Sequence, residues 1–128
     1  MKLKKQHLEV LLNFTKGTEG QLSLAESRLR DSFIKPLSEV TQAYFDDRNK
    51  IYLAFCFKNE DGTPALKDGD KYEFARENID EVNKELLTLA DEEVELETPA
   101  NLKEILEKSE YKPKLLEAEV IDNIINSL

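Results

Sequence analysis

The chain has no tryptophan, one cysteine, one histidine, four glycines and four prolines among 128 residues. Each shortage closes off some chemistry. A single cysteine, Cys56, forbids an internal disulfide, which fits a reducing cytoplasm. One cysteine and one histidine, His7, cannot build a structural zinc site. A Cys–His nucleophile would require those two side chains to meet. Cys56 lies in "IYLAFCF", and a thiol among apolar neighbours behaves as a small, inert hydrophobe. Four scattered glycines cannot form a phosphate-cradling loop. No apolar run approaches the roughly 18 residues that cross a bilayer. The basic start "MKLKKQHLEV" leads into no continuous apolar stretch of the kind a secretory signal carries. A cytoplasmic protein without metal or cofactor is the expectation.

What the chain has is charge. Charged residues are 35% and hydrophobic ones 40%, the composition of a charge-rich globular protein and not of a disordered one. At this length one domain, 1–128, is expected, burying about two thirds of its unfolded surface. The net charge of −9 is uneven: residues 1–58 hold 10 basic and 7 acidic side chains (+3), residues 59–128 hold 8 and 20 (−12). An acidic balance argues against direct nucleic-acid binding. "AESRLRDSFIK" offers Arg28 and Arg30 at the start of a helix, but residues two apart do not share a helix face. They are expected to pair with the acidic second half.

The 27 acidic residues contain no ordered metal motif. In "NEDGTPALKDGD" Gly62 follows Asp61 directly, and no bidentate glutamate stands where an EF-hand needs one. No carboxylate pair is singled out for acid–base work. A metal-bearing enzyme is thus the weakest of three readings, and the chain is expected not to be an enzyme.

Periodicity gives the elements. "MKLK" suits a short edge strand, and Leu8, Leu11, Leu12 and Phe14 mark a short amphipathic helix ended by "KGTEGQ". Leu29, Phe33, Leu37, Val40, Tyr44, Ile51 and Phe55 recur by threes and fours, with Arg48 in the one gap. They predict a helix from about Leu24 to about Lys58, kinked near Pro36. "IYLAFCF" at 51–57 has the composition of a strand, but the stripe runs through it. Residues 58–74 read as turns around Asp61-Gly62 and Asp68-Gly69, closed by a short strand in "KYEFA". Ile79, Val82, Leu86 and Leu89 mark a third helix. In "DEEVELE" Val94 and Leu96 alternate with Glu93, Glu95 and Glu97, the period of a half-buried strand with wet glutamates. Thr98-Pro99 then reads as the cap and first residue of a helix through Leu102, Ile105 and Leu106. Lys112-Pro113 starts the last helix, with Leu116, Val120, Ile121, Ile124 and Ile125 inward. The expected fold class is mainly α (α+β): a long kinked amphipathic helix packed with four shorter helices and a small two- or three-stranded β element.

"KLKKQHLEVLLNF", "AESRLRDSFIKPL", "KNEDGTPALKDGDKYEF", "NKELLTLADEEVELE" and "NLKEIL" occur in that order. Together they resemble a family of small phage and prophage proteins of Gram-positive bacteria that carry a domain of unknown function. Ser27, Arg28 and Arg30 match its "SR-x-R" segment. Glu60, Asp61, Gly62 and Pro64 match its acidic turn. Asn83, Lys84, Glu85, Leu86, Glu92, Glu93 and Val94 match its helix-to-strand junction. Pro36 and the apolar "IYLAFCF" depart from the pattern. The resemblance implies a phage origin and an α-helical fold with small β elements. It implies no activity and no catalytic residues.

Two functional expectations follow. The first is a non-enzymatic phage accessory or assembly protein acting through protein contacts, as an oligomer or with a phage or host partner, in the bacterial cytoplasm or on the virion. Its surface would centre on Tyr44, Tyr52 and Phe55. The second is an acidic inhibitor that occupies a basic cleft of a host nucleic-acid-handling or defence protein through Glu92, Glu93, Glu95 and Glu97. Alternate strand residues repeat at about 6.6–6.8 Å. Duplex phosphates present one charge per about 1.7 Å of axis. Such a decoy would therefore need Glu104, Glu107 and Glu110 beside the strand. Arg28 and Arg30 complete the candidate partner-binding set.

Overall fold

Ser23-Leu24-Ala25-Glu26 fixes where the long helix begins. The Ser23 hydroxyl accepts the Glu26 N–H at 3.2 Å, and the Ser23 N–H donates back to the Glu26 carboxylate at 3.0 Å. This reciprocal capping box satisfies two of the otherwise unpaired amides of a helix start. Lys108 then donates to both Glu26 oxygens at 2.9 and 2.8 Å, tying the helix start to the region after residue 106. These hydrogen bonds, Lys108 first and the Ser23 amide next, hold the Glu26 carboxyl below its ordinary range.

The structure is a computed structural model describing residues 1–128. In chain order its elements are β1 (Lys2–Lys4), a 3₁₀ turn (Lys5–His7), α1 (Leu8–Lys16), α2 (Leu24–Phe55), β2 (Leu66–Lys67) and β3 (Lys71–Tyr72). A second 3₁₀ turn (Arg76–Asn78), α3 (Ile79–Asp91), β4 (Glu93–Glu95), α4 (Leu102–Leu106) and α5 (Leu115–Asn126) follow. The mainly α fold with one long helix, four shorter ones and small β elements is therefore present. The chain gathers into two units, Met1–Gln42 with Glu93–Leu128, and Ala43–Glu92. α2 contributes to both. No helix is long and apolar enough to cross a membrane.

In the first unit β1 pairs antiparallel with β4, Lys2 opposite Glu95, Leu3 opposite Val94 and Lys4 opposite Glu93. The alternation expected of "EVELE" holds: Leu96 is buried, Val94 half-buried, and Glu93, Glu95 and Glu97 are exposed. Leu3, Leu8, Leu11, Phe14, Phe33, Leu37, Leu96, Leu102, Ile105, Leu106, Ile121 and Ile124 are this unit's buried apolar side chains. Three threonines are buried as well. Thr15 and Thr41 donate to the carbonyls four residues back at 2.7 Å, and Thr18 to that three back at 2.7 Å. Their hydroxyls are satisfied locally, which removes the cost of burying them. α2 passes Pro36 without a break in its helical structure.

Past α1 the chain meets residues 109–111 at close quarters. Ser109 donates to the Phe14 carbonyl at 2.6 Å, the Glu110 N–H to the Gly17 carbonyl at 2.9 Å, and Tyr111 stands edge-on to Phe14 at 6.4 Å. A Cβ on Gly17 would lie 2.5 Å from the Ser109 hydroxyl and 2.8 Å from the Tyr111 backbone nitrogen.

In the second unit α2 ends at Phe55, three residues short of the expected limit. Cys56 bridges Phe74, the Phe57 N–H donates to the Glu73 carbonyl at 2.9 Å, and the Ala65 N–H donates to the Phe57 carbonyl at 2.8 Å. "IYLAFCF" is thus split: its helical stripe wins through Phe55 and its β propensity from Cys56. β2 and β3 close a hairpin across Asp68 and Gly69, both at positive φ. Val82 and Leu89 are the buried face of α3, whereas Ile79, expected inward, is exposed.

Two other expectations give way. Thr98-Pro99 does not start α4. The chain turns first, the Leu102 N–H reaching the Pro99 carbonyl at 3.3 Å, and Asn101 in the left-handed region leads into the helix. Leu116 does not face inward. It is 81% exposed, because α5 starts at Leu115 with the Lys114 N–H on the Glu117 carboxylate at 2.9 Å, and the buried stripe falls on Ile121 and Ile124.

Gly17→Ala is expected to cost roughly 2–3 kcal/mol, since the neighbours include backbone that cannot yield. Urea unfolding at unchanged m-value measures it. The folded protein binds the Glu26 proton less tightly than the unfolded chain. Its stabilisation is therefore full above the ordinary value of 4.5 and lost as pH falls through the lower folded value. Glu26→Gln is expected to melt below the native chain at pH 7, and melting curves taken down the pH scale should show that gap closing in acid.

Candidate functional site

The second half of α2 carries Tyr44, Arg48 and Tyr52 four residues apart, which stacks them on one helix face. Opposite them α3 presents Asn83, Leu86, Leu87 and Ala90, spaced by threes and fours. These seven residues line an open groove of about 510 Å³. Its tyrosines are held in place. Tyr44 is buried and lies 6.0 Å from Phe45. Tyr52 stacks on Tyr72 of the hairpin at 5.3 Å with planes 22° apart, and Phe74 lies 6.1 Å away. The Arg48 guanidinium sits 5.6 Å from the Tyr44 ring centre and 5.9 Å from that of Phe45, within cation–π range, and donates weakly to the Tyr52 hydroxyl at 3.4 Å.

Leu87 is the unusual wall residue. It is 71% exposed and lies on the groove's edge. Val82 and Leu89 occupy the buried side of α3, so the apolar surface of that helix is wider than its core contact requires. The lining holds no carboxylate, histidine, thiol or small hydroxyl. It offers aromatic faces, leucines and a few N–H and O–H donors. Its polar groups are the two tyrosine hydroxyls, the Arg48 guanidinium and the Asn83 amide, set among leucine and alanine side chains. Two of its residue types, Tyr and Arg, are enriched at protein interfaces.

The acidic residues take other places. Glu92 lines a separate cleft of about 300 Å³ with Ile51, Glu81, Lys84, Glu85, Thr88 and Leu89. Glu93 and Glu95 lie on β4 directly opposite Lys4 and Lys2, and the Met1 amino group is 3.3 Å from the Glu95 carboxylate. Glu97 lines a cleft of about 200 Å³ with Ser32, Pro36, Thr98 and Pro99. Glu104, Glu107 and Glu110 are exposed. Cross-strand lysines therefore face two of the five carboxylates in the densest run of negative charge in the sequence.

Of the arginines, Arg30 pairs at 2.8 Å with the adjacent Asp31, and not with the acidic second half as expected. Arg28 is exposed on α2. Lys108 and Glu26 supply the link between halves that the arginines were expected to supply. Phe55 is half-buried at the end of α2 and is not part of the groove lining. Cys56 is buried, its thiol 3.9 Å from the Leu53 carbonyl. His7 titrates below its usual value, through burial first and the Lys4 charge second. No three His, Cys, Asp or Glu side chains gather as metal ligands.

The sequence pointed to Tyr44 and Tyr52. It missed Arg48, which looked like a gap in the apolar stripe, and Asn83, Leu87 and Ala90 on α3. One signal was present: Leu86-Leu87 puts adjacent leucines on a helix, and only one of the two can join the Val82–Leu89 stripe.

Compared with family models, curated proteins and solved structures, the chain matches none.

Tyr72→Ala removes the ring stacked on Tyr52. It is expected to cost roughly 1–3 kcal/mol from lost area and ring pairing. Chemical denaturation gives the loss, and a changed near-ultraviolet tyrosine dichroism would report the freed Tyr52.

Proposed function

We propose that this chain is a non-enzymatic protein-binding module, of the accessory or assembly kind implied by its resemblance to small phage proteins. It holds its partner in the groove between α2 and α3. The observation that carries the reading is Leu87, an exposed leucine on the edge of a groove walled by two positioned tyrosines and an arginine. Exposed apolar side chains beside preformed aromatic walls are what an interface core is made of. Ring stacking on Tyr52 supports the reading further, because a wall that is already ordered loses little entropy on binding.

The acidic-decoy reading has less support. Two of its four carboxylates lie opposite lysines, and Glu92 and Glu97 line two different clefts. Salt separates the two readings, since binding through the groove's apolar walls persists at high ionic strength and a decoy's does not.

The test uses a tagged full-length chain as bait in bacterial and phage-infected lysates at low and high salt. A partner identified there is purified and titrated against the native chain and against Tyr52→Ala. Binding that survives salt and weakens about tenfold or more in Tyr52→Ala is the expected result. Binding abolished by salt and unchanged by Tyr52→Ala would overturn the groove reading.

A further inference from the structure

The two Asp-Gly pairs that set the turns of residues 58–74 are alike in sequence and unlike in the fold. At Asp61-Gly62 the reactive groups are engaged. The Thr63 N–H donates to the Asp61 carboxylate at 3.0 Å, and the Thr63 hydroxyl donates to the same oxygen at 2.5 Å. The Gly62 N–H donates to the Asn59 carbonyl at 3.0 Å. The bonds from Thr63 also hold the Asp61 carboxyl below its ordinary range. At Asp68-Gly69 the same groups are not engaged. Asp68 is exposed, and its carboxylate has no hydrogen bond or ion pair. The Gly69 N–H donates to no carbonyl, and the turn is closed by the Asp70 N–H on the Lys67 carbonyl at 3.3 Å. The geometry points to Asp68 as a modification site, where the hairpin turn rearranges through a succinimide to isoaspartate while Asp61 is protected.

The reaction needs only water. The Gly69 nitrogen attacks Cγ of Asp68 in its neutral carboxylic acid form. The N–Cγ bond forms, the Cγ–OH bond breaks, and the hydroxyl leaves as water with the amide proton. Water then reopens the ring. Cleavage at N–Cγ restores aspartate. Cleavage between the nitrogen and the former main-chain carbonyl carbon leaves isoaspartate, with the chain running through Cγ. Nothing is oxidised or reduced, and the composition is unchanged. Backbone geometry favours the step here. Asp68 has φ 53° and Gly69 φ 87°, the signs of a type I′ turn. Turning over the peptide between them gives a type II′ turn, which keeps Asp68 at positive φ, and glycine accepts the new sign without steric cost. That motion carries the Gly69 nitrogen toward the Asp68 side chain, and neither group has a hydrogen bond to break first. The extra backbone methylene then falls in a hairpin of only two residue pairs, Leu66 with Tyr72 and Lys67 with Lys71. Tyr72 is the ring stacked on Tyr52. Conversion at Asp68 therefore loosens one brace of the groove wall, whatever the groove binds.

The test holds the purified full-length chain in warm, mildly acidic buffer, folded and in urea. Isoaspartyl peptides are then resolved from aspartyl ones by chromatography of a digest. In urea the two sites should convert at similar rates, which calibrates the comparison. In the folded chain Asp68 should convert at least about tenfold faster than Asp61, since each hydrogen bond to be broken at Asp61 is worth a few-fold in rate. Thr63→Val, at an exposed position, removes one of those bonds. It should raise the Asp61 rate about two- to tenfold and leave that of Asp68 unchanged. Near-ultraviolet tyrosine dichroism should change in step with isoaspartate at Asp68, in the direction that Tyr72→Ala gives. Equal rates at the two sites of the folded chain, or faster conversion at Asp61, overturn the assignment. So does a folded chain in which Asp68 stays inert for as long as it takes to convert in urea. Conversion at Asp68 with unchanged dichroism overturns the coupling to Tyr52.

Discussion

The capping box at Ser23 and Glu26 is the contact from which the rest of the architecture follows. A helix nucleus is costly, and a cap that satisfies two amides at once decides where the chain enters the helix. From that start the phase of α2 is set for 32 residues. Phe33, Leu37 and Thr41 then fall on a buried face in the first unit, and Tyr44 continues that face into the second. The Lys108 ammonium on the same carboxylate joins the helix start to the segment after α4, so one side chain both caps the helix and anchors a distant stretch of chain. Buried threonines fit because each hydroxyl finds a carbonyl of its own helix or turn. No buried side-chain nitrogen or oxygen is left without a partner.

The second unit shows how a groove arises from economy of packing. α3 needs only Val82 and Leu89 for its core contact, and the end of α2 is braced by rings from the hairpin. Tyr52 is fixed on its hairpin side by Tyr72 and Phe74, and Arg48 lies over Tyr44 and Phe45. With these walls held, Leu86, Leu87 and Ala90 meet an aromatic surface that they do not fill. Rigid walls beside an exposed leucine are better prepared for association than a mobile surface of the same area, because less order remains to be imposed.

Charge tells a different story in the fold than in the composition. The second half of the sequence is strongly acidic, and its densest run is "DEEVELE". Folding sets Lys2 and Lys4 across from two of those glutamates and assigns the others to different clefts. Net charge bears on solubility and encounter, and a site requires carboxylates whose field is not cancelled at short range.

Local periodicity was enough to determine the long helix, the short strand in "EVELE", the turns at Asp61-Gly62 and Asp68-Gly69, and two of the groove's tyrosines. In each case the signal is a repeat or a dipeptide that acts over a few residues. The capping box in "SLAE" is just as local, and periodicity did not single it out. Only the tertiary structure decided where "IYLAFCF" stops being helix, because the backbone partners of Cys56 and Phe57 are at residues 73 and 74. It likewise decided that Thr98-Pro99 is a turn, that Leu116 is exposed, and that Lys2 and Lys4 face Glu95 and Glu93. Arg48 forms one surface with Asn83 and Leu87, 35 and 39 residues further on, only because α2 and α3 line the same groove, and no local pattern encodes that pairing. Sequence periods fix what each segment can bury; which segment comes to cover it depends on contacts between residues remote in the chain.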